Sequence, residues 1–419
     1  MTPLLPTSTE HERIARRIVI ISALALFIIF GIRLSFGVFF AEFVEIESWS
    51  NESSAAIYSA SMIVFAVGST PSGILLDRYG PRIVFGLGAF LLALGLFLSS
   101  YASDVRHLML SYGIISGTGL ALFGLGPFAA VIAGWVPPAR RGRAIGIVFA
   151  GTGFGSLLFV PLSTWLIESF GWRNAYLVLG LLCLFVLAPL LIAGQQKPPV
   201  PTLRGDQTQT TRRNWRELLT NPLFWAIIVV ALTAIGPLRS LTVHHVAYME
   251  SVGVKRQTAA NFVGLAGFLT AGTFIGWGFV SDRFGRAWTF TLGALFLIGA
   301  VGILVAMQQM HGYLLLGAYS VLLALGEGTR SSQSTVLASD IFQDYGLGLV
   351  NGIVGAMFGL GAAFGPWIVG RLRDTTGSYF PGLMTIVILV VISAVAFLLV
   401  SVKNGAKDHT KELLISEIT

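Results

Sequence analysis

Four charged residues interrupt stretches that are otherwise almost free of charge. Arg33, Arg239, Arg330 and Glu327 each lie within an apolar run longer than twenty residues. Arg33 and Arg239 stand 206 positions apart. A guanidinium offers parallel N–H donors that match the two oxygens of a carboxylate. Two of them facing one space would therefore bind a small organic anion. The alternative is that each arginine reaches back along its helix toward water. Glu327 and Arg330, three residues apart, share a helix face with Ser320, Ser331 and Ser334. They form either a structural ion pair, or a unit in which Glu327 carries an exchangeable proton and Arg330 holds it. His244 and His245 suit either an anchor at the end of their run or a proton-responsive gate. Tyr112, Tyr319 and Phe358 shape a pocket or simply pack.

The elements that must position these side chains follow from composition. Of 419 residues, 54% are hydrophobic and 11% charged, with a mean hydropathy of +0.78. A soluble domain carries about 25% charged residues. So few charges cannot coat the surface of one large water-soluble core, which excludes a soluble enzyme, a secreted disulfide scaffold and a disordered chain. The single cysteine, Cys183, allows no intrachain disulfide. The six histidines show no HExxH spacing, and no GxxxxGK[ST] loop occurs. No catalytic residues, metal or cofactor are expected. A net charge of +7 could suggest nucleic acid. Here the basic residues cluster between apolar runs, which marks a lipid bilayer as the partner instead.

About 20 apolar residues cross a bilayer as a helix. Twelve such runs can be drawn: 18–44, 54–76, 83–101, 108–136, 144–167 and 174–195, then 222–248, 258–281, 287–308, 312–341, 349–370 and 381–402. The first is too long for a cleaved signal, whose apolar core spans about 7–15 residues. With the amino terminus inside, 18 Lys and Arg fall on inner segments and 6 on outer loops. That bias places both termini in the cytoplasm of a cell (inner) membrane protein. The resulting organisation is a tail 1–17, a six-helix bundle 18–196, a linker 197–221, a second bundle 222–402 and a tail 403–419. The linker carries Pro198, Pro199 and Pro201, and its end, Trp215–Leu219, could form a short helix on the membrane surface.

The halves are repeats. Gly73, Asp77, Arg78 and Gly80 match Gly278, Asp282, Arg283 and Gly285 at a shift of 205. Gly146, Ala150, Gly153, Gly155 and Gly171 match Gly352, Ala356, Gly359, Gly361 and Gly377 at a shift of 206. Two parallel six-helix repeats with a site between them near mid-membrane are a transporter architecture.

The segment Gly73-Ile-Leu-Leu-Asp77-Arg78-Tyr-Gly80-Pro-Arg82, with its second copy Gly278 to Arg286, resembles the GxxxDRxGRR-like signature of the major facilitator superfamily. The resemblance implies an all-α membrane fold of 12 transmembrane helices in two pseudo-symmetric bundles. It also implies a switching role for Gly73, Asp77, Arg78, Arg82, Gly278, Asp282, Arg283 and Arg286. More narrowly, Arg140-Arg141-Gly-Arg-Ala144 through Gly155 resembles the monocarboxylate porter signature entering helix five. Arg33 followed by Val38-Phe39-Phe40 is similar to that family's helix one. Ala139, Arg143 and Val148 depart from the pattern. The charged helix-eight pair of animal members is absent from 268–278.

The expected protein is a monomeric secondary transporter of a small organic anion, a monocarboxylate, with a proton as coupling ion. Arg33, Arg239, Arg330, Tyr112, Tyr319 and Phe358 are the candidate substrate contacts, and Glu327 and His244 the candidate proton carriers. An organic-anion exchanger or an efflux carrier of the same fold is the alternative. Nucleic acid is not an expected partner.

Overall fold

The computed structural model describes residues 8–197, 219–310, 312–342 and 347–416. The linker residues 198–218, which include all of the expected surface helix but Leu219, lie outside these. So do the extreme ends of both tails.

Among the described residues there is no strand, and the chain runs from helix to helix. Ser8–Leu34 and Phe36–Glu45 make a first span broken at Ser35. Asn51–Tyr79 and Pro81–Ser100 are the second and third. The fourth is assembled from Val105–Leu108, a π-helical stretch Met109–Ser116, Gly117–Ala121 and, after a turn, Leu125–Trp135. Pro138–Leu182 is continuous by hydrogen bonding, yet Gly171 at φ 79°, ψ 157° breaks it into two rods. The sixth span then continues through Cys183–Leu187 and Ala188–Gly194. The second half comprises Pro222–Ser251, Arg256–Phe284, Arg286–Ala306, Tyr313–Ile341, Leu347–Thr376 and Phe380–Ser416. Among the described residues, eight helices are long and apolar enough to cross a membrane, or nine with the bent pair Asn51–Ser69 and Pro71–Tyr79. One of the eight, Arg140–Gly194, holds the Gly171 break. Arg256–Phe284 and Tyr313–Ile341 have the length, 29 residues each, but carry more polar side chains.

The chain marks its own turns. Ser50 caps the second span by accepting from the Ser53 amide, and Asn221 caps the seventh ahead of Pro222. Gly80 (φ 80°) and Gly285 (φ 86°) end the second and eighth spans, in the left-handed region that glycine enters without strain. Gly171 (φ 79°) and Gly377 (φ 71°) do the same after the fifth and eleventh. Both pairs sit at the repeat shift, so the two halves share turn geometry as well as sequence.

Within each bundle aromatic side chains fill the interior. Phe39 stacks on Tyr176 at 4.0 Å, Phe85 on Phe128 at 4.4 Å, and Phe290 on Phe397 at 4.1 Å. Large apolar side chains such as Phe185, Leu295, Val395 and Leu399 point outward and are exposed. Water would penalise that surface and hydrocarbon accommodates it.

The bundles meet along three pairs of spans: first with seventh, second with eleventh, fifth with eighth. A side chain at Gly37 would collide with the Thr242 carbonyl, so glycine is what lets the first and seventh spans touch. The hydrogen bonds and ion pairs that join the halves gather at the end remote from the repeated motif. Arg256 pairs with Glu42 and Glu45. Asp374 accepts from the Asn51 amide (3.0 Å), the Asn51 side chain (2.7 Å) and the Glu52 amide (2.7 Å). At the motif end, by contrast, no atom of the described residues lies within 4 Å of where a Cβ at Gly73 or Gly278 would stand. Among the described residues, then, polar contacts between the halves close one end, and the motif end is parted beside these two glycines.

Candidate functional site

Between the bundles lies a cavity of about 330 Å³. Eight spans contribute to it: the first, second, fourth and fifth from one half, and the seventh, eighth, tenth and eleventh from the other. Both repeat-related arginines line it, together with Glu327 and Phe358.

Arg33 and Arg239 each stand next to an irregular point of their helix. The first span breaks at Ser35, two residues after Arg33. Pro237 interrupts the hydrogen bonding of the seventh span two residues before Arg239. The cavity stripe of the seventh span is Ile235, Arg239, Thr242 and His245, at helical spacing. Arg33 lies among soft, apolar neighbours. Its guanidinium meets the Met62 sulfur at 3.2 Å and stands over the rings of Phe65 (4.8 Å) and Phe30 (5.6 Å). Among the described residues no carboxylate pairs with it. Arg239 differs, since its NH2 donates to Glu327 Oε1 at 2.8 Å, with both side chains about one-fifth exposed. Tyr58, from the second span, lies beside both guanidiniums. The cavity therefore holds two guanidiniums and one carboxylate.

One expected contact is corrected. Glu327 does not pair with Arg330. The cavity stripe of the tenth span is Leu323 and Glu327. Arg330 sits a turn further on and rotated away, where that span packs against the ninth and twelfth. It is fully buried, donates to Ser393 Oγ at 2.6 Å and lies over the Phe290 ring at 4.5 Å. Among the described residues its Nε and second terminal nitrogen have no hydrogen-bond partner, and it is not part of the cavity wall. Of the serines expected on this face, Ser320 and Ser334 bond to backbone carbonyls, and the Ser331 side chain lies outside the described residues.

The histidines are not interfacial anchors. Both are 4% exposed. His244 Nε2 bonds the Pro366 carbonyl at 2.9 Å and its ring packs edge-on against Phe40, away from the cavity. His245, its neighbour, lines the cavity instead. Tyr112 packs behind the wall with Phe36 and Tyr176, and Tyr319 bonds His245. The phenylalanine lining beyond Phe358 comes from Phe30, Phe65, Phe123, Phe149 and Phe274. Nothing in the sequence separated these from the other aromatic residues, since only helix orientation does so.

At the parted end, Asp77 is exposed and in no ion pair among the described residues. Arg78 and Arg283, each one residue past an aspartate of the repeated motif, lie over the neighbouring rings of Tyr79 and Phe284. Arg82 lies in the first turn of the third span, and Arg286 opens the ninth. The Asp282 side chain lies outside the described residues.

The profile of the Major Facilitator Superfamily matches residues 19–366 and 245–414. The chain belongs to this superfamily of transporters, and with the fold this makes it a multi-pass membrane protein rather than an enzyme. Monocarboxylate transporter 13 of Bos taurus is 30% identical over 371 residues, covering 84% of this chain and 81% of the relative. Monocarboxylate transporter 12 of Homo sapiens is 27% identical over 377 residues, covering 82% and 72%. Among solved structures, a bacterial homologue of the human lysosomal transporter Spinster, in an inward-facing and unoccupied conformation, superposes with a TM-score of 0.72. It shares 15% identity, with coverage of 94% of this chain and 98% of that one. The nucleoside transporter NupG gives a TM-score of 0.75 at 14% identity, covering 92% and 98%.

Proposed function

We propose that this protein carries a small organic anion, a monocarboxylate, across the cell membrane together with a proton, exposing the cavity alternately to each side. One observation carries the reading. Arg33 lines the cavity without an acidic partner while its repeat equivalent, Arg239, is held by Glu327. With Glu327 ionised the three groups sum to one positive charge, which suits a monoanion. Protonating Glu327 removes its claim on Arg239 and leaves two guanidiniums for the substrate carboxylate. Proton and anion would then favour each other's binding, as linkage requires. The monocarboxylate transporters among the relatives point to the same substrate class.

The repeat organisation supports bundles 18–196 and 222–402 around a linker 197–221, both termini in the cytoplasm and a monomer as the working unit. The parted, motif-bearing end would then face the cytoplasm.

Competition against a bound carboxylate tests the substrate class. Lactate-sized acids should displace it, and their amides and methyl esters should not. If the neutral amide competes as well as the acid, the anion reading is wrong and an efflux-type carrier takes its place.

A further inference from the structure

Residues 8–17 extend the helix of the first span beyond its apolar run, by about 15 Å. Arg13, Arg16 and Arg17 fall within about 8 Å of the start of that run, at the depth of the lipid headgroups. Other elements hold this extension in place. His11 Nε2 donates to the Trp135 carbonyl at 3.1 Å, and the Trp135 indole donates to the Gln196 carbonyl at 3.2 Å. Arg17 donates to the Ala193 carbonyl, and the Gln195 side chain to Ser22 Oγ at 2.9 Å. The extension is thereby tied to the turn before the fifth span and to the end of the sixth.

The face so assembled is strongly basic. Segments 10–17, 77–82, 136–143 and 194–197 hold nine Lys and Arg, all exposed, against three acids, Glu10, Glu12 and Asp77. Lys197 lies beside Gly80, which brings the turn after the second span onto the same face. Among the described residues Arg13, Arg16, Arg82 and Lys197 have no ion-pair partner, and Arg140 meets Glu12 only at 3.6 Å, both side chains being mostly exposed. Just inside this face the surface turns apolar. Arg13, Arg17, Ile20 and Leu24 follow one another at helical spacing, and Ile20 and Leu24 are exposed. Ile83 on the third span and Ile192 on the sixth are exposed likewise. Cations above an outward-facing apolar stripe match both parts of a phospholipid, whereas a soluble polyanion would use only the first.

We propose that this end of the first bundle, centred on Arg13, Arg16 and Arg17, binds the headgroup of an anionic phospholipid whose acyl chains lie along Ile20 and Leu24. A fixed cluster of unpaired cations does more than the general bias of basic residues toward one side of a membrane, because it selects among lipids. The site lies outside the cavity and is independent of the carboxylate reading. The topology reading enters only in naming the cytoplasmic leaflet as the source of the lipid.

The test measures how much labelled dioleoylphosphatidylglycerol and dioleoylphosphatidylcholine the delipidated full-length protein retains in neutral detergent after gel filtration. The parent should retain phosphatidylglycerol preferentially, and less of it as salt rises. Each Lys or Arg near an anionic headgroup favours it about fivefold. Arg13→Gln combined with Arg16→Gln should therefore weaken phosphatidylglycerol binding about 10- to 30-fold and leave phosphatidylcholine unchanged. Arg106→Gln combined with Lys255→Gln removes two cations from the opposite end and should bind like the parent. Polyglutamate at equal charge should not displace the lipid. Four results overturn the proposal: equal retention of the two lipids by the parent, phosphatidylglycerol binding that survives loss of Arg13 and Arg16, an equal loss in the opposite-end variant, or displacement by polyglutamate. The last would assign the face to a soluble acidic partner. The comparison of lipids on the parent stands whether or not a variant folds.

Discussion

Arg239 donates to Glu327 at 2.8 Å, whereas Arg33, its equivalent in the other repeat, faces the same cavity with the Met62 sulfur, two aromatic rings and Tyr58 beside its guanidinium and, among the described residues, no carboxylate. The repeat thus places two cations alike, and Glu327 neutralises one. A charge-assisted hydrogen bond contributes roughly 1.5–3 kcal/mol, so Arg33→Gln should weaken carboxylate binding about 10- to 150-fold.

Glu327→Gln fixes the cavity in its neutralised-acid form and should separate binding from pH. In the unaltered protein, anion binding is expected to strengthen as pH falls, because protonation of Glu327 releases Arg239. In Glu327→Gln that dependence should vanish. Uphill uptake driven by a pH gradient should be lost, while exchange of labelled for unlabelled substrate persists. Unchanged pH-driven uptake would remove Glu327 from the mechanism.

Arg239 and Arg330 should differ in stability when each is replaced by methionine. Arg239→Met leaves Glu327 without its partner. Breaking a buried pair costs roughly 3–5 kcal/mol, and the partial exposure of this one favours the lower end. Arg330→Met removes a buried charge that has no acid beside it among the described residues, at the loss of one hydrogen bond to Ser393 and a ring contact with Phe290. Replacing a buried charged group by an apolar one of similar volume is often close to neutral. Thermal unfolding in detergent should show a clear fall for Arg239→Met and little change for Arg330→Met. The reverse order would restore Arg330 as the partner of Glu327.

How far the site could be read from sequence depended on the kind of signal. Repeat spacing identified Arg33 and Arg239 as equivalent, and both line one cavity because pseudo-symmetry acts on whole helices. The positive-φ turns at Gly80 and Gly285 were legible as part of a motif. The partner of Glu327 was not. Glu327 and Arg330 are three apart and within reach on an isolated helix, but tertiary packing sends one to the cavity and the other toward the ninth and twelfth spans. His244 and His245 show the same limit. Adjacent residues differ by about 100° around a helix, so one lines the cavity and the other meets Pro366 and Phe40. Hydropathy gives the span; it does not give rotation to that precision.

Asp77 should govern switching rather than binding. It is exposed at the parted end, where Gly73 and Gly278 have open space beside them. When the halves close there, a carboxylate at this helix end can meet a partner from the opposite bundle. Asp77→Asn should slow transport while leaving substrate affinity within a few-fold. A folded variant that no longer binds would place the motif in the substrate site instead.

The seal at the remote end should yield to a single substitution at Asp374. Its two oxygens hold the first amides of the second span from across the seam. A carboxylate there also complements the positive end of that helix. Tyr379, which donates to Asn51 at 3.0 Å, and Arg371, 3.6 Å from Glu52, depend on the same approach of the two halves. Asp374→Asn keeps the size but removes the charge and turns one acceptor into a donor facing donors. The closed end should then open more often. Ser59, which donates to the Ala363 carbonyl at 2.5 Å inside this seam, offers a reporter position. A cysteine placed there should react slowly with a polar thiol reagent in the parent and several-fold faster once Asp374→Asn is added. The natural thiol, Cys183, is buried and should contribute little signal. Equal labelling rates in the two backgrounds would show that Asp374 does not hold the seam shut.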